Sequence, residues 1–339
     1  MGLLSLAAAS SLGSPPAEAH RCRAGLQHAV IGAQHACLGA GQRCLKRHDR
    51  TYHRLGFHCH GRRLTAGGSL SFPIRAAFYY PWFPETWTVR GRHVAYRPLL
   101  GYYNSSDAAV AHSHVRQLQY GRFEAAIASW WGRGTHAEGQ RLRLLLDTTA
   151  SLRAGLKWSI YYEPEGQTNP SVAAIRADLA YLASNYTRHV SYARLGGKPV
   201  IFVYNAGDVS CEVADRWRQA AAGSWYVVLK VFPGFASCPS QPNAWHQYAP
   251  ANAIQSHLPH SFNISPGFWL ASDASPRLGR DPARWAQNVR SMAASGARWQ
   301  LVTSFNEWGE GTAVESAREW ASASGRGAYL DALRAVPAP

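Results

Sequence analysis

Two carboxylates stand three residues apart in Gln300-Leu301-Val302-Thr303-Ser304-Phe305-Asn306-Glu307-Trp308-Gly309-Glu310-Gly311-Thr312. The apolar, β-branched start of this run reads as a buried strand that delivers Glu307 and Glu310 to its C-terminal end. Side chains three apart on a straight strand face opposite ways. The two acids therefore share a site only if the chain turns between them, and Gly309 and Gly311 supply the backbone freedom for that turn. No Lys or Arg lies between Arg298 and Arg318, so neither acid has a local ion-pair partner. Two carboxylates held close in a cleft, one with a raised pKa, are the equipment of glycoside hydrolysis. Without the flanking tryptophan and glycines, the same pair would read as ordinary surface charge on a loop.

Such a pair needs a scaffold. Apolar runs at Arg75 to Trp82, Ala125 to Trp131, Lys157 to Glu163, Pro199 to Tyr204, Trp225 to Phe232, Ala244 to Tyr248, Ser261 to Ile264 and Gln300 to Phe305 read as eight strands. Helical patterns fall between them at Asp107 to Tyr120, His136 to Ala154, Val172 to Tyr186, Cys211 to Ala222 and Asp281 to Ala297, with a last one at Ser316 to Val336. Asp281 before Pro282 reads as the N-cap of its helix. The stretches after the fifth and sixth strands have weak helical character. The fold class expected is α/β: a (β/α)8 TIM barrel preceded by a small cysteine-containing N-terminal segment. An open doubly wound sheet is the runner-up, and the lack of a glycine-rich phosphate loop after the first strand counts against it.

A barrel keeps its chemistry at the C-terminal ends of its strands. Here those ends carry Phe78-Tyr79-Tyr80-Pro81-Trp82, Ser129-Trp130-Trp131, Tyr161-Tyr162-Glu163, Tyr204-Asn205, Trp245-His246-Gln247-Tyr248 and the glutamate pair. Flat rings stack on the C–H faces of sugars while Tyr, Asn and Glu fix hydroxyls. A single aromatic end would be a barrel roof, but recurrence on most strands points to a saccharide cleft. The candidate substrate-binding residues are Tyr79, Tyr80, Trp82, Trp130, Trp131, Glu163, Tyr204, His246, Tyr248, Asn306 and Trp308, around Glu307 and Glu310 as candidate catalytic groups. His246 reads equally well as a packed strand histidine.

The chain has 339 residues and a formal charge of +15, and only four of its 35 basic residues are Lys. From His20 to Arg63 there are nine Lys or Arg against one acid, Asp49, together with Cys22, Cys37, Cys44, Cys59 and seven histidines. Four cysteines in a segment too small for its own core read as two disulfides in an exported chain, with connectivity left open. Zinc is the rival reading, weakened by the absence of a tight Cys-x2-4-Cys pair. Cys211 and Cys238 are expected to pair with each other. Residues 1–19 have a short apolar region and end in Ala17-Glu18-Ala19, as a signal peptide does, which makes the expected location extracellular or cell-wall associated. No apolar run reaches the ~18 residues of a membrane span. The organisation expected is thus a signal peptide at 1–19, a basic His/Cys-rich segment at 20–64, a linker at 65–73 and the barrel at 74–339. The expected partners are an oligo- or polysaccharide substrate and, through residues 20–63, an anionic cell-wall polymer, with nucleic acid ranked below both.

The motifs Phe78-Tyr79-Tyr80-Pro81-Trp82, Pro98-Leu99-Leu100-Gly101-Tyr102-Tyr103, Ser129-Trp130-Trp131-Gly132, Tyr162-Glu163-Pro164, Lys198 to Tyr204 and Ser304 to Thr312 occur in the order seen in glycoside hydrolase family 99. The chain resembles that family, or the broader 71/99-like group, from about residue 74 to 320. The resemblance implies a (β/α)8 retaining endo-α-mannosidase-type hydrolase that needs no metal or other cofactor. By the same resemblance Glu307 is the base that deprotonates a sugar 2-hydroxyl, giving a 1,2-anhydro sugar, and Glu310 is the general acid and base. Glu163 would bind the sugar in the adjoining subsite, with Tyr79, Trp130, Tyr204, Tyr248 and Asn306 lining the cleft. The chain departs from the family where it has Gly309 in place of His, Tyr161-Tyr162-Glu163 in place of His-x-Glu, and Tyr204-Asn205-Ala206-Gly207 in place of an Asp-containing loop. A glycan binder that kept the cleft without the chemistry, and a binder of anionic polymers, are the alternative functions.

Overall fold

In the computed structural model, residues 22, 26–31, 34–135, 139–206 and 209–337 are described. The expected signal segment at 1–19 and the expected start of the second helix at His136 lie outside them. Eight strands form one parallel barrel sheet: β1 (Ile74–Tyr79), β2 (Ala125–Trp130), β3 (Lys157–Tyr162), β4 (Lys198–Val203), β5 (Tyr226–Lys230), β6 (Ala244–His246), β7 (Ser261–Ile264) and β8 (Trp299–Val302). Their lateral order runs β6-β5-β4-β3-β2-β1-β8-β7, and Ile254–His257 pairs antiparallel along the far edge of β7. The circuit is thus nearly closed, with β6 and β7 approaching each other across the gap without pairing. The strands lie where the apolar runs put them, and several end two or three residues earlier than expected.

Most barrel positions are apolar on both faces, as a parallel sheet covered on both sides requires. Alternate residues feed two cores. Ile74, Ala76, Phe78 and Tyr80 join Val200, Phe202, Val228, Trp299 and Leu301 in the barrel interior. Ala77, Tyr79, Trp130, Tyr162 and Val203 pack outward against the helices. This two-residue period decides which member of each aromatic pair faces the mouth.

The outer layer consists of α1 (Ala108–Tyr120), α2 (Gln140–Ser151), α3 (Val172–Leu182), α4 (Cys211–Ala221), α5 (Pro282–Ala294) and α6 (Ala328–Ala335). Caps set their starts: Asp107 accepts from the Ala109 N–H, and Asp281 accepts from those of Ala283 and Arg284. The last helix is much shorter than Ser316 to Val336, because Gly325 and Gly327 take positive φ just before it begins. Among the described residues no α-helix follows β5 or β6. The first of these connections carries Pro233, Pro239 and Pro242 around a single 3-10 turn at Phe235–Ser237.

Ahead of the barrel, two hairpins (Gln27–Ile31 with Gln34–Leu38, and Phe57–His60 with Arg63–Ala66) flank the short helix Asp49–Arg54 around Leu38, Tyr52, Phe57 and Leu64. Disulfides join Cys22 to Cys37 and Cys44 to Cys59, and Cys211 pairs with Cys238. The small unit is seated on the barrel: Val190 N–H donates to the His53 carbonyl, and Arg54 pairs with Asp147 at 3.1 Å.

Candidate active site

The chain leaves β8 through a cis peptide between Thr303 and Ser304 and folds back on itself. Ser304 Oγ accepts the Glu307 N–H at 2.7 Å, and the Thr312 N–H returns to the Glu307 carbonyl. Gly311 sits at φ +62, and a Cβ there would lie 2.9 Å from the Trp269 carbonyl. Gly309 serves differently from expectation. Its φ is not in the left-handed region, but a Cβ on it would come within 2.9 Å of Glu307 Oε1 and 3.0 Å of Val89 Cγ2. Space, more than backbone freedom, is what glycine supplies at 309. Arg280 fixes the far side of the turn by donating to the Gly311 and Ala313 carbonyls at 2.7 Å each, under the rings of Tyr96, Trp320 and Tyr329.

This turn brings the two acids together. Glu307 Oε1 accepts the Glu310 N–H at 3.2 Å, while Oε2 is buried with no hydrogen-bond partner. Tyr248, from just beyond β6, donates its hydroxyl to Glu310 Oε2 at 2.6 Å. Glu163, past the end of β3, accepts from Ser129 Oγ at 3.0 Å. Burial raises all three carboxyl pKa values, and their mutual repulsion adds to it for Glu307 and Glu163. Glu163 is pushed up to about 8 and Glu310 to about 7. Glu307 lies well above the usual range, although backbone N–H groups of Gly309 and Glu310 oppose the shift. Among the described residues, no Arg or Lys makes an ion pair with any of the three; the neighbouring Arg277 is paired to Asp273 at 2.7 Å.

Around these acids the structure assembles Tyr80, Trp82, Trp131, Tyr161, Tyr204 and Tyr248. The rings of Tyr80 and Trp82 lie 4.6 Å apart, Trp82 and Trp131 6.3 Å, and Tyr161 and Tyr204 5.7 Å. Trp82, Trp131, Tyr204 and Tyr248 remain partly exposed and so form the open rim. His246 is fully buried among Phe78, Tyr161 and Phe202 with Nε2 3.3 Å from the Tyr161 hydroxyl, and burial keeps it neutral, so it is part of the floor.

Four expected cleft residues face elsewhere. Tyr79 points to the helix layer, where its hydroxyl meets His114 Nδ1 at 2.8 Å. Trp130 packs outward on Tyr162. Trp308 stacks on Trp320 and donates to Glu315 Oε2 at 3.1 Å. Asn306 uses its amide to bond the backbone N–H and carbonyl of Tyr80, at 2.7 and 2.9 Å, and so staples β1 to the loop. The physical reason is the two-residue period for the first two and the tight turn for the others.

Behind the loop lies a buried network that sequence reasoning missed. His114 on α1 meets Glu315 Oε1 at 3.1 Å, and Tyr103 donates to Glu315 Oε2 at 2.8 Å and receives Trp308 Nε1 at 3.2 Å. A lone acid inside the small apolar run Ala313-Val314-Glu315-Ser316-Ala317 was the available signal.

The model of glycosyl hydrolase family 99 matches residues 91–229. The fold is similar to the solved family 99 endo-α-mannosidase from Bacteroides thetaiotaomicron, with 19% identity and a TM-score of 0.61 over 78% of this chain and 96% of that one. A structure of that enzyme in complex with Bis-Tris-propane gives 21% identity and a TM-score of 0.60 over 78% and 95%. A solved glycoside hydrolase-like protein gives 14% identity and 0.57 over 80% and 95%. Among curated proteins none matches the sequence. The chain thus matches the model of glycosyl hydrolase family 99 over part of its barrel and shares the fold of solved members of that family.

Proposed function

We propose that the protein is an exported glycoside hydrolase that cleaves an α-linked, mannose-like glycan with retention of configuration. The observation that carries this reading is Glu307 Oε2, a buried acceptor without a partner beside a second, proton-holding carboxyl. A buried acceptor in that condition is costly unless a bound group completes it, and a sugar hydroxyl has the donor it lacks. In the first step Glu307 takes the 2-hydroxyl proton as O2 attacks the anomeric carbon, and the glycosidic bond breaks as Glu310 protonates the departing oxygen. In the second, Glu310 deprotonates a water that opens the three-membered 1,2-anhydro ring, and Glu307 returns its proton to O2. Two inversions give net retention. Burial and the neighbouring Glu310 raise Glu307, so its action as a base requires that proton to leave as the sugar binds, which the backbone N–H groups of Glu310 and Gly309 assist; a pKa of about 7 suits Glu310 to give and recover a proton near neutrality. Glu163 lies next to Glu310 electrostatically, which suits a sugar-binding role in the adjoining subsite.

The test is turnover of α-mannans and aryl α-glycosides by wild type and Glu310→Ala, with NMR of the first-formed anomer. A loss of roughly 10²- to 10⁴-fold is expected. Equal, negligible turnover by both proteins would leave only a glycan binder.

A second surface favours the anionic-polymer reading as an accompanying role. A cavity of about 990 Å³ between the N-terminal unit and α2 is lined by Lys46, Arg47, Arg50, Arg143 and Arg153 against Asp49 and Asp147. Retention on an acidic wall polymer should fall steeply with salt and weaken in Arg47→Glu/Arg50→Glu. Unchanged, salt-insensitive retention would dismiss that role.

A further inference from the structure

At the ends of β4, β5 and β6 a second hollow of about 640 Å³ is lined among others by Asn205, Lys230, Phe232, Phe235, Gln247 and His257. That size is within the ~300 to 1,000 Å³ of ligand pockets. It adjoins the candidate site through shared rings: Tyr248, which holds Glu310, lies 6.3 Å from Tyr204, and Lys230 Nζ sits 5.3 Å from the centre of the same Tyr204 ring. Lys230 is one of only four lysines in the chain, and by the strand alternation it points inward from the end of β5.

Its surroundings are unusual for an ammonium. It is half-buried, and one of its three N–H groups donates to the Asn205 carbonyl at 3.1 Å. Among the described residues no carboxylate lies within ion-pair distance of it. Across the hollow, His257 Nε2 is buried without a hydrogen-bond partner, and burial, then the neighbouring His260, lower the pKa of that ring, which keeps it neutral. A desolvated cation with spare donors, an orphaned imidazole nitrogen and two phenylalanine rings make up a receptor that lacks its anion.

We propose that this hollow is a subsite for a negatively charged sugar unit, one bearing a carboxylate or a phosphate ester, with Lys230 binding the anionic group and Phe232 or Phe235 meeting the sugar's apolar face. The substrate is then an acidic glycan, cut beside a charged residue. This rests on the hydrolase reading of the neighbouring acids for its role, but its test is binding and needs no turnover.

The full-length protein is titrated by NMR at low salt with methyl α-mannoside, mannuronic acid and mannose 6-phosphate. At least one acidic sugar should bind about tenfold more tightly than the neutral one, equivalent to ~1.4 kcal/mol. The preference should shrink with added salt, collapse to within about twofold in Lys230→Gln and persist in Lys230→Arg, which keeps the charge. The uronate and phosphate arms identify which anion is taken. No preference in wild type, or a preference that survives Lys230→Gln, overturns the proposal. Because Lys230→Arg must fold for the comparison, its thermal midpoint is measured alongside. Absence of turnover together with an intact acidic preference would sink the hydrolase reading and leave this subsite standing.

Discussion

The Tyr248 hydroxyl donates to Oε2 of Glu310 at 2.6 Å, so the group proposed to protonate the leaving oxygen is held by a phenol from a different strand. Burial raises the Tyr248 pKa well above its usual value, so the phenol keeps its hydrogen throughout the working pH range. The bond stabilises the ionised carboxylate and thereby limits how far burial lifts Glu310.

Removing that bond should make Glu310 a weaker acid. In Tyr248→Phe the Glu310 pKa rises above about 7, and the alkaline limb of kcat/KM, where the acid loses its proton, moves to higher pH. A pH profile on an aryl α-glycoside reads this directly. A limb that stays in place, or moves to lower pH, would separate Tyr248 from the ionisation of Glu310.

Glu163 predicts an inverted stability profile. Its pKa is raised from the ordinary 4.5 to about 8, so the folded state binds this proton more tightly than the unfolded chain. Its contribution is therefore favourable below about pH 4.5 and is lost as pH climbs toward 8. Glu163→Gln removes the penalty and should raise the thermal midpoint at pH 8 by several degrees, with little gain at pH 5. Melting curves at the two pH values check it; equal gains at both would mean the effect is not ionisation.

Position 309 has room for a hydrogen only while Val89 and the Glu307 carboxylate keep their places. Gly309→Ala should displace Glu307 and lower turnover about ten- to a hundredfold with modest loss of stability. Adding Val89→Ala opens the other side and should recover part of the rate. Kinetics of the two singles and the double give the coupling, and strict additivity would show that the two side chains do not compete for one space.

His114 bridges Tyr79 and Glu315, so His114→Ala leaves the Tyr79 hydroxyl and Glu315 Oε1 without that partner, while Tyr103 and Trp308 still hold Oε2. A loss of about 2 to 5 kcal/mol in denaturant unfolding is expected. The 305–315 loop carries both proposed catalytic acids, so turnover should fall as well. A stability change under about 0.5 kcal/mol would mean that the network is replaceable by water.

The barrel was legible because its strands are apolar runs bounded by turn residues, and the Cys211–Cys238 bridge because these are the two thiols left over once the four N-terminal cysteines are set aside. The glutamate turn was legible because Trp308, Gly309 and Gly311 mark it. The orientation of the aromatics was not read, although the information was present: Tyr79-Tyr80, Trp130-Trp131 and Tyr161-Tyr162 each put one ring inside and one outside. Composition at a strand end cannot tell neighbours apart; only the parity counted from a known inward residue does. The buried Tyr103–His114–Glu315 network joins residues more than 200 positions apart, and nothing local announces such a contact. Lys230 went unnoticed because one lysine in a strongly basic chain carries no signal until its neighbours are known.

The bare flank beyond β5 and β6 sets how such a barrel can diversify. The connections at 231–243 and 247–260 have no α-helix of their own; the first is tied to α4 by the Cys211–Cys238 disulfide and the second carries Tyr248, so change is best tolerated at their remaining exposed positions. The opposite flank is buttressed by α1, α5 and α6, with Arg75 clamping the carbonyls of Leu333, Val336 and Pro337 beneath β1. The anchored flank thus keeps β1 and the 305–315 loop in place, while among the described residues the bare flank reaches the acids through one phenol alone, so that Tyr248 is the single point at which a change of loop is felt by Glu310.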